Sequence, residues 1–413
     1  MYKRVSGTKD ILPDEVICWQ KIEEISRRIF SLYNYQEIRP PIIEDAGLFN
    51  RSLGEFTEIV QKQMFLIKNL EDTYALRPEG TASIVRCFIE NNLDKTNGFV
   101  KLYYMGPMFR LERPQKGRLR QFHHIGTEVI GSTAPEVDIE VISLADELLK
   151  AYSISGYKIK INSIGCSKDK KALISTINKK LEGELENLCA DCNERFKHNV
   201  LRILDCKNEA CQAVINKIGV AHEHLCPDCL KHFSAVKQGL DTLKIEYEVS
   251  PLLVRGLDYY TSTVFEIKHP DLGAQDAVGA GGRYDNLVKE LGGPQLGAVG
   301  FAFGVERLLL VTKIQEHIDT SKNLVYVISL GDEARKEGLK LLNSLRKEGI
   351  PSSTDYEIMS LKGAMRSAND AAAKFVVIIG EDELKKNVVM LKNMQTSEQK
   401  EITQKDLIKE LKC

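Results

Sequence analysis

Three arginines and two cysteine pairs are the residues of this chain whose types and spacing suggest chemistry. Arg110 ends the run Gly106-Pro107-Met108-Phe109-Arg110, Arg255 opens Arg255-Gly256-Leu257-Asp258-Tyr259-Tyr260, and Arg307 closes Gly304-Val305-Glu306-Arg307. Each follows an apolar or glycine-bearing stretch expected to be partly buried, and a buried guanidinium is costly unless it meets an anion. That anion is either an internal carboxylate, which makes the arginine a structural ion-pair member, or a substrate phosphate or carboxylate, whose oxygens the planar fork can bind in parallel. Cys189-x-x-Cys192 and Cys226-x-x-Cys229 are two knuckles of the kind that together hold a tetrahedral Zn²⁺. Cys206 and Cys211 offer alternative ligands, and buried inert thiols are the competing reading.

Other nucleotide and metal signatures are missing from the sequence. It has no G-x-x-x-x-G-K-[ST], no H-E-x-x-H and no strand-linked G-x-G-x-x-G. A formal net charge of −1 over 413 residues gives no global basic field, so composition alone does not point to a nucleic-acid partner. The N-terminus lacks the apolar core of a signal peptide, and the longest aliphatic runs, such as Val376-Val377-Ile378-Ile379, are strand-sized. The sequence therefore leads us to expect a cytoplasmic protein with no membrane association, whose cysteines are thiols or metal ligands rather than disulfides.

The elements that must position these residues follow from hydrophobic spacing. Val16, Trp19, Ile22, Ile25 and Ile29 mark an amphipathic helix over 14–32, with Pro13-Asp14 at its start. From 36 to 130 short apolar runs are broken by Gly and Pro, with one helical stretch after Thr81; this predicts an antiparallel sheet with helices around it. Val137, Val141, Leu144 and Leu148 place a further helix over 135–151. Residues 166–244 are helical in texture and hold most of the ten cysteines, which reads as an insertion between 1–165 and 245–318. After a polar linker near 313–323, strand and helix alternate: strand 324–330, helix 332–347 stopped by Gly349, strand 352–356, helix 361–373, strand 375–379. Residues 323–413 are thus expected to form a small α/β domain with nearly balanced charge.

Against that background several segments resemble one family in order along nearly the whole chain. Tyr104–Gly131, YMGPMFRLERPQKGRLRQFHHIGTEVIG, resembles motif 2 of class II aminoacyl-tRNA synthetases in its histidyl form. Leu253–Ile267, LVRGLDYYTSTVFEI, is similar to the peptide that marks histidyl-tRNA synthetases, and Gly279–Val288 and Gly297–Leu310 resemble the second histidine-specific segment and motif 3. Leu76–Ala82, LRPEGTA, is similar to the amino-acid-binding loop, and Gly7–Pro13 and Ile38-Arg39-Pro40-Pro41 fit the family opening and motif 1. His123-His124-Ile125-Gly126 is unrelated to the class I HIGH signature: its order differs and no KMSKS-like partner exists.

The resemblance implies an α+β fold: a six-stranded antiparallel class II catalytic sheet with a helical insertion, then an α/β anticodon-binding domain. It implies ATP-dependent activation of L-histidine to histidyl-adenylate, transfer to tRNA(His), Mg²⁺ on the β- and γ-phosphates, and a homodimer through motif 1. By resemblance Arg110 and Arg255 would hold the α-phosphate from two sides, Glu112 would touch adenine, and Arg307 would contact the nucleotide end of ATP. Glu79 and Thr81, with Gly80 between them, would receive the α-amino group, while Glu128 and Tyr260 would read the ring with Tyr259 and Tyr284 beside them. Those tyrosines also suit ordinary core aromatics with a polar tip. Arg113 and Gln115 resemble readers of the tRNA acceptor end, although a solvated loop accounts for them equally. The family commonly has glutamine where this chain has His124, which would donate a similar hydrogen bond to substrate or titrate near neutral pH. Zinc is not a family requirement, so the cysteine knuckles would steady the insertion only. Two other functions fit the same fold: a regulatory subunit of ATP phosphoribosyltransferase and a non-catalytic tRNA or histidine sensor. Both would be expected to lose the arginines that this chain keeps.

Overall fold

A computed structural model describes residues 2–69, 71–219, 222–273, 276–317, 323–357 and 359–412. The chain divides into two compact units, residues 1–317 and 318–413.

The first unit opens with the helix Pro13–Leu32, where proline occupies the first turn and Asp14 and Glu15 complement the helix dipole. Trp19, Ile22, Ile25 and Ile29 are buried along one stripe, as the spacing predicts. Its strands in chain order are β1 (Gln36–Glu37), β2 (Ile43–Asp45), β3 (Phe65–Lys68), β4 (Thr73–Leu76), β5 (Val100–Phe109), β6 (Gln121–Ile130), β7 (Lys158–Ser163), β8 (Glu248–Val249), β9 (Thr261–Lys268), β10 (Ala277–Arg283) and β11 (Ala298–Gly304). The main sheet runs β1-β5-β6-β11-β10-β9-β7-β8. Its six central strands pair antiparallel, and the two-residue strands β1 and β8 run parallel along its edges. The sheet expected from the short apolar runs is therefore present. A small sheet β2-β4-β3 lies apart from it and delivers the loop 77–80 to the start of the helix Thr81–Glu90.

Register decides what the sheet presents. In the hairpin β5–β6, Val100 pairs with Ile130 and Phe109 with Gln121, so residues 110–120 form the connecting loop and Arg110 is the first residue beyond the strand. Glu128 lies between Leu102 on β5 and Gly300 on β11. The helix Pro135–Ala151 buries Val141, Leu144 and Leu148.

Between β7 and β8 come the helices Ser167–Leu181, Ala190–His198, Glu209–Ile218 and Pro227–Thr242. The first three share an apolar cluster that includes Leu173, Ile177, Leu181, Cys192 and Ile215, together with Ile203 from the turn Val200–Asp205 and Val254 from beyond the insertion. The insertion thus packs directly on the residue before Arg255.

In the second unit, β12 (Val325–Ser329), β13 (Ser352–Thr354) and β14 (Phe375–Ile379) are parallel, and β15 (Val389–Asn393) and β16 (Gln399–Ile402) add an antiparallel hairpin. The helices Asp332–Lys347 and Leu361–Asp370 fall where periodicity places them. The closing hairpin and the helix Gln404–Lys412 are short and were not anticipated from the spacing; Val389, Leu391 and Leu407 tie them to the core. The linker expected near 313–323 contains a single helical turn, Ile314–His317, and its residues 318–322 lie outside the described residues.

Candidate active site

The three arginines reach one cavity of about 370 Å³ from different elements. Arg110, just past β5, donates from Nε to the Pro78 carbonyl at 2.9 Å, and its guanidinium lies 5.2 Å from the centroid of the Phe122 ring. Arg255, in the turn before β9, donates from Nη1 to Glu266 Oε1 at 2.9 Å. Its Nε is buried and meets no hydrogen-bond partner among the described residues. Arg307, in the first turn of the helix Val305–Val311, donates from Nε to the Gly117 carbonyl at 3.1 Å and from Nη1 to the Ala277 carbonyl. Arg110 also lies 3.7 Å from Glu112 Oε1 through Nη1, so three guanidinium groups and the carboxylates beside them face one cavity, where planar forks can bind phosphate or carboxylate oxygens.

Glu79, Thr81, Glu112, His124, Tyr259 and Tyr260 line the same cavity. Glu79 is buried, and its two oxygens accept the backbone N–H groups of Thr81 and Ala82 at 2.7 and 2.8 Å. This caps the helix Thr81–Glu90 while leaving each oxygen a lone pair for a cation. Gly80 packs against the Tyr104 ring and does not line the cavity.

Beneath this lining Glu128 and Tyr284 are each 1% exposed. Glu128 accepts from Thr81 Oγ1 at 2.6 Å and from the Tyr284 hydroxyl. Burial pushes the carboxyl up to about 8 and nearby Glu79 adds to this, while the Thr81 and Tyr284 hydrogen bonds oppose it. Gly300 makes the carboxylate's place: a Cβ there would stand 1.9 Å from Glu128 Oε2. Tyr259 stacks obliquely on Tyr260 at 4.7 Å and edge-on to Tyr284 at 5.6 Å. All three tyrosines belong to the apolar core, and Tyr259 and Tyr260 also wall the cavity.

His124 departs from expectation. It does not titrate near neutral pH: burial first, then the positive charges of Arg110, Arg77 and Arg307 and neighbouring His123, hold its imidazole down to about 3. Its Nδ1 has no hydrogen-bond partner among the described residues.

Arg113 and Gln115 stand apart from the cavity, exposed in the loop 111–120, where Gln115 pairs with Arg118 across a two-residue bridge. The single zinc site expected from Cys189, Cys192, Cys226 and Cys229 is not formed. Cys189 and Cys192 lie with Cys206 and Cys211, whereas Cys226 and Cys229 lie with Cys166 and Asp169. The knuckles part because each opens a different helix. Pro227–Thr242 packs so closely on Pro135–Ala151 that a Cβ on Gly239 would meet Ile139 Cδ1 at 2.1 Å.

Several cavity residues escaped sequence reasoning. Tyr104, Arg118, Lys268 and Glu266 line it, as do Arg202 and Lys207 from the insertion. Glu266 could have been found by asking which acid alternates inward on β9; nothing in the spacing marks Arg202.

An antiparallel sheet with arginines from three elements converging on a cavity at the end of its β5–β6 hairpin is the arrangement of the class II synthetase fold. Residues 7–308 match the family model described as histidyl-tRNA synthetase, and residues 324–413 match that of an anticodon binding domain. The chain is 43% identical to a histidine–tRNA ligase of Natranaerobius thermophilus over 99% of this chain and 98% of that protein. It is 46% identical to one of Thermosipho melanesiensis over 97% and 96% of the two chains. The crystal structure of apo S. aureus histidyl-tRNA synthetase superposes with a TM-score of 0.82 at 35% identity, covering 100% of both chains. The chain belongs to the histidyl-tRNA synthetase family.

Proposed function

We propose that this chain is a histidine–tRNA ligase that activates L-histidine with ATP, releases diphosphate and transfers the histidyl group to tRNA(His). The observation that carries this is the convergence of Arg110, Arg255 and Arg307 on one cavity that also holds Glu79, Thr81 and, directly beneath, Glu128.

The nucleophile, the histidine carboxylate, is ionised at neutral pH, so the reaction needs no general base. A carboxylate oxygen forms a bond to the α-phosphorus as the bond to the diphosphate oxygen breaks, and the diphosphate leaves with the electron pair. The protein's task is to bring two anions together and hold donors where negative charge grows. Arg110 bridges the substrate carboxylate and the α-phosphate, and the unpartnered Nε of Arg255 faces that phosphate from the other side. Arg307 and Glu112 engage the nucleotide. Glu112, Glu266 and Asp276 line the cavity and would offer hard oxygen donors to Mg²⁺, which would supply charge neutralisation for the phosphates of ATP. Glu79 and Thr81 receive the α-amino group. Glu128 and Tyr260 read the imidazole, with Tyr259 and Tyr284 fixing their positions and neutral His124 donating to the substrate. Selectivity follows because a substrate lacking ring nitrogens leaves these buried groups unpaired.

Arg113 and Gln115 approach the tRNA acceptor end from their exposed loop, and residues 324–413 bind the anticodon region. Ile42 and Ile43, beside motif 1, are exposed, as are Leu66 and Ile67 on the far strand of the same small sheet, which supports a homodimer formed through this region. None of the helices among the described residues is long and apolar enough to cross a membrane, in keeping with a cytoplasmic enzyme. Zinc enters this reading only as a structural element of the insertion, away from the reacting atoms. The regulatory-subunit reading is weaker because this chain keeps both Arg255 and the anticodon-binding domain.

The test is histidine-dependent exchange of label between diphosphate and ATP. Strong exchange with histidine and none with other amino acids is expected; its absence in folded protein would turn the assignment toward the regulatory relative.

A further inference from the structure

Seven cysteines and one aspartate of the insertion form two separate groups, and in each the ligand atoms all lie within 4.8 Å of one another. The first is Cys189, Cys192, Cys206 and Cys211; the second is Cys166, Asp169, Cys226 and Cys229. No disulfide joins them. A tetrahedral ion with metal–sulfur bonds of about 2.3 Å sets its sulfurs ~3.8 Å apart, and Cys189 Sγ lies 3.9 Å from Cys206 Sγ.

One local device recurs three times. Cys166, Cys189 and Cys226 are each the N-cap of a helix, and Asp169, Cys192 and Cys229 stand three residues further on, in the first turn. That placement aims helix N–H groups at the ligand atoms. Backbone donors already point at sulfur across each group. The Cys189 N–H lies 3.2 Å from Cys211 Sγ, and the Cys166 N–H lies 3.3 Å from Cys229 Sγ. Gly165 has φ +70°, and a Cβ there would fall 2.5 Å from Asp169 Oδ2, so the backbone is shaped to admit this carboxylate as a ligand.

We propose that the insertion binds two zinc ions, one in each of these groups. Thiolate-rich tetrahedral donor sets select Zn²⁺ over hard cations. Binding displaces the thiol protons and involves no redox step. The inference stands apart from the aminoacylation reading, because it depends only on the insertion's own residues.

Both ions brace the same neighbour. The first group encloses residues 192–206, from which Asn199 donates to Asp258 Oδ1 at 2.8 Å and Arg202 donates to the Gly256 carbonyl at 3.2 Å. The second fixes the start of the helix Ser167–Leu181, from which Lys170 donates to the Asp258 carbonyl at 2.7 Å. Zinc therefore acts as a positioning element for the Arg255–Tyr260 segment.

The test is metal analysis of the full chain purified without chelator, joined to Co²⁺ titration of the metal-stripped chain. Two equivalents of zinc are expected, and two of Co²⁺ with the visible bands of tetrahedral thiolate coordination. Cys206→Ser and Cys226→Ser are each expected to keep one ion, and chelation should speed amide exchange at 254–260. Less than about a tenth of an equivalent of zinc with no tetrahedral cobalt spectrum, or recovery of these cysteines as disulfides, overturns the proposal. A cobalt endpoint at one equivalent in the unaltered chain overturns the two-site assignment even if the variants fail to fold.

Discussion

Arg283, buried at the end of β10, and Arg255, half-buried in the turn before β9, serve the same sheet, yet one is saturated and the other is not. Every nitrogen of Arg283 meets an oxygen. Nε donates to Asp138 Oδ2 at 2.7 Å, Nη1 to the Ser132 carbonyl and Asp285 Oδ1 at 3.0 Å, and Nη2 to the Ala134 carbonyl at 2.8 Å. Arg255 spends Nη1 on Glu266 and leaves Nε unpartnered. A guanidinium whose donors are used up can only hold the fold, whereas one with donors to spare can bind an incoming anion. Residue type does not separate the two; donor accounting does.

Five experiments would break or sharpen that contrast. The largest effect is expected at the saturated site. Arg283→Ala leaves Asp138 buried without its partner and should cost about 3–5 kcal/mol in urea unfolding; an unchanged midpoint would end the structural reading of saturation.

Arg255→Ala should do the reverse. Exchange activity should fall by about 10²–10³, while stability changes by no more than roughly 1 kcal/mol, because Lys268 Nζ, 3.4 Å from Glu266 Oε2, remains to pair the carboxylate. Comparable losses of stability and activity would erase the distinction.

His124 reports its burial and, after that, the field of Arg110, Arg77 and Arg307. Its folded value of about 3 lies below the ordinary 6.5, so its contribution to stability is complete above 6.5 and is lost as pH falls through 6.5 toward 3. About 2 kcal/mol should be gone by pH 5, and His124→Gln should remove that part of the slope in urea titrations.

Glu128 sits among Glu79, Thr81, Tyr104, Tyr260 and Tyr284 and is protonated below about 8. Only the carboxylate accepts an imidazole N–H on both oxygens, so KM for histidine should fall about tenfold between pH 7 and 9. Glu128→Gln should flatten the profile; a wild-type KM independent of pH over this range would rule out the proposed ring contact.

The smallest effect is expected at an arginine that is not buried at all. Arg113→Ala should leave exchange within about twofold and slow only the charging of tRNA. A large loss of exchange would move this loop into the activation site.

Much of the scaffold was legible because apolar spacing reports directly on which face of an element meets the core. The helices Pro13–Leu32, Pro135–Ala151 and Asp332–Lys347, and the strand Phe375–Ile379, each carry enough apolar residues in one register to declare themselves. The pieces that close the second unit are short, and their few apolar residues, Val389, Leu391 and Leu407 among them, join the core without a run long enough to declare an element. Arg110, Arg255 and Arg307 were legible as chemistry because buried cations demand anions. Arg202, Lys207 and Tyr104 were not, since nothing in their local context distinguishes them from surface or core residues.

The chain's local chemistry is thus written in its order: which segments are helices, which cysteines come in pairs, where a guanidinium is flanked by apolar residues. Proximity between segments is not, because it depends on strand register and on which helix each knuckle opens. Folding alone separated Cys189-Cys192 from Cys226-Cys229, supplied Cys166 and Asp169 as partners for the second pair, and buried His124, among positive charges, so that it stays neutral. Distances across the chain, set by packing, decide coordination and protonation, and no one-dimensional spacing encodes them.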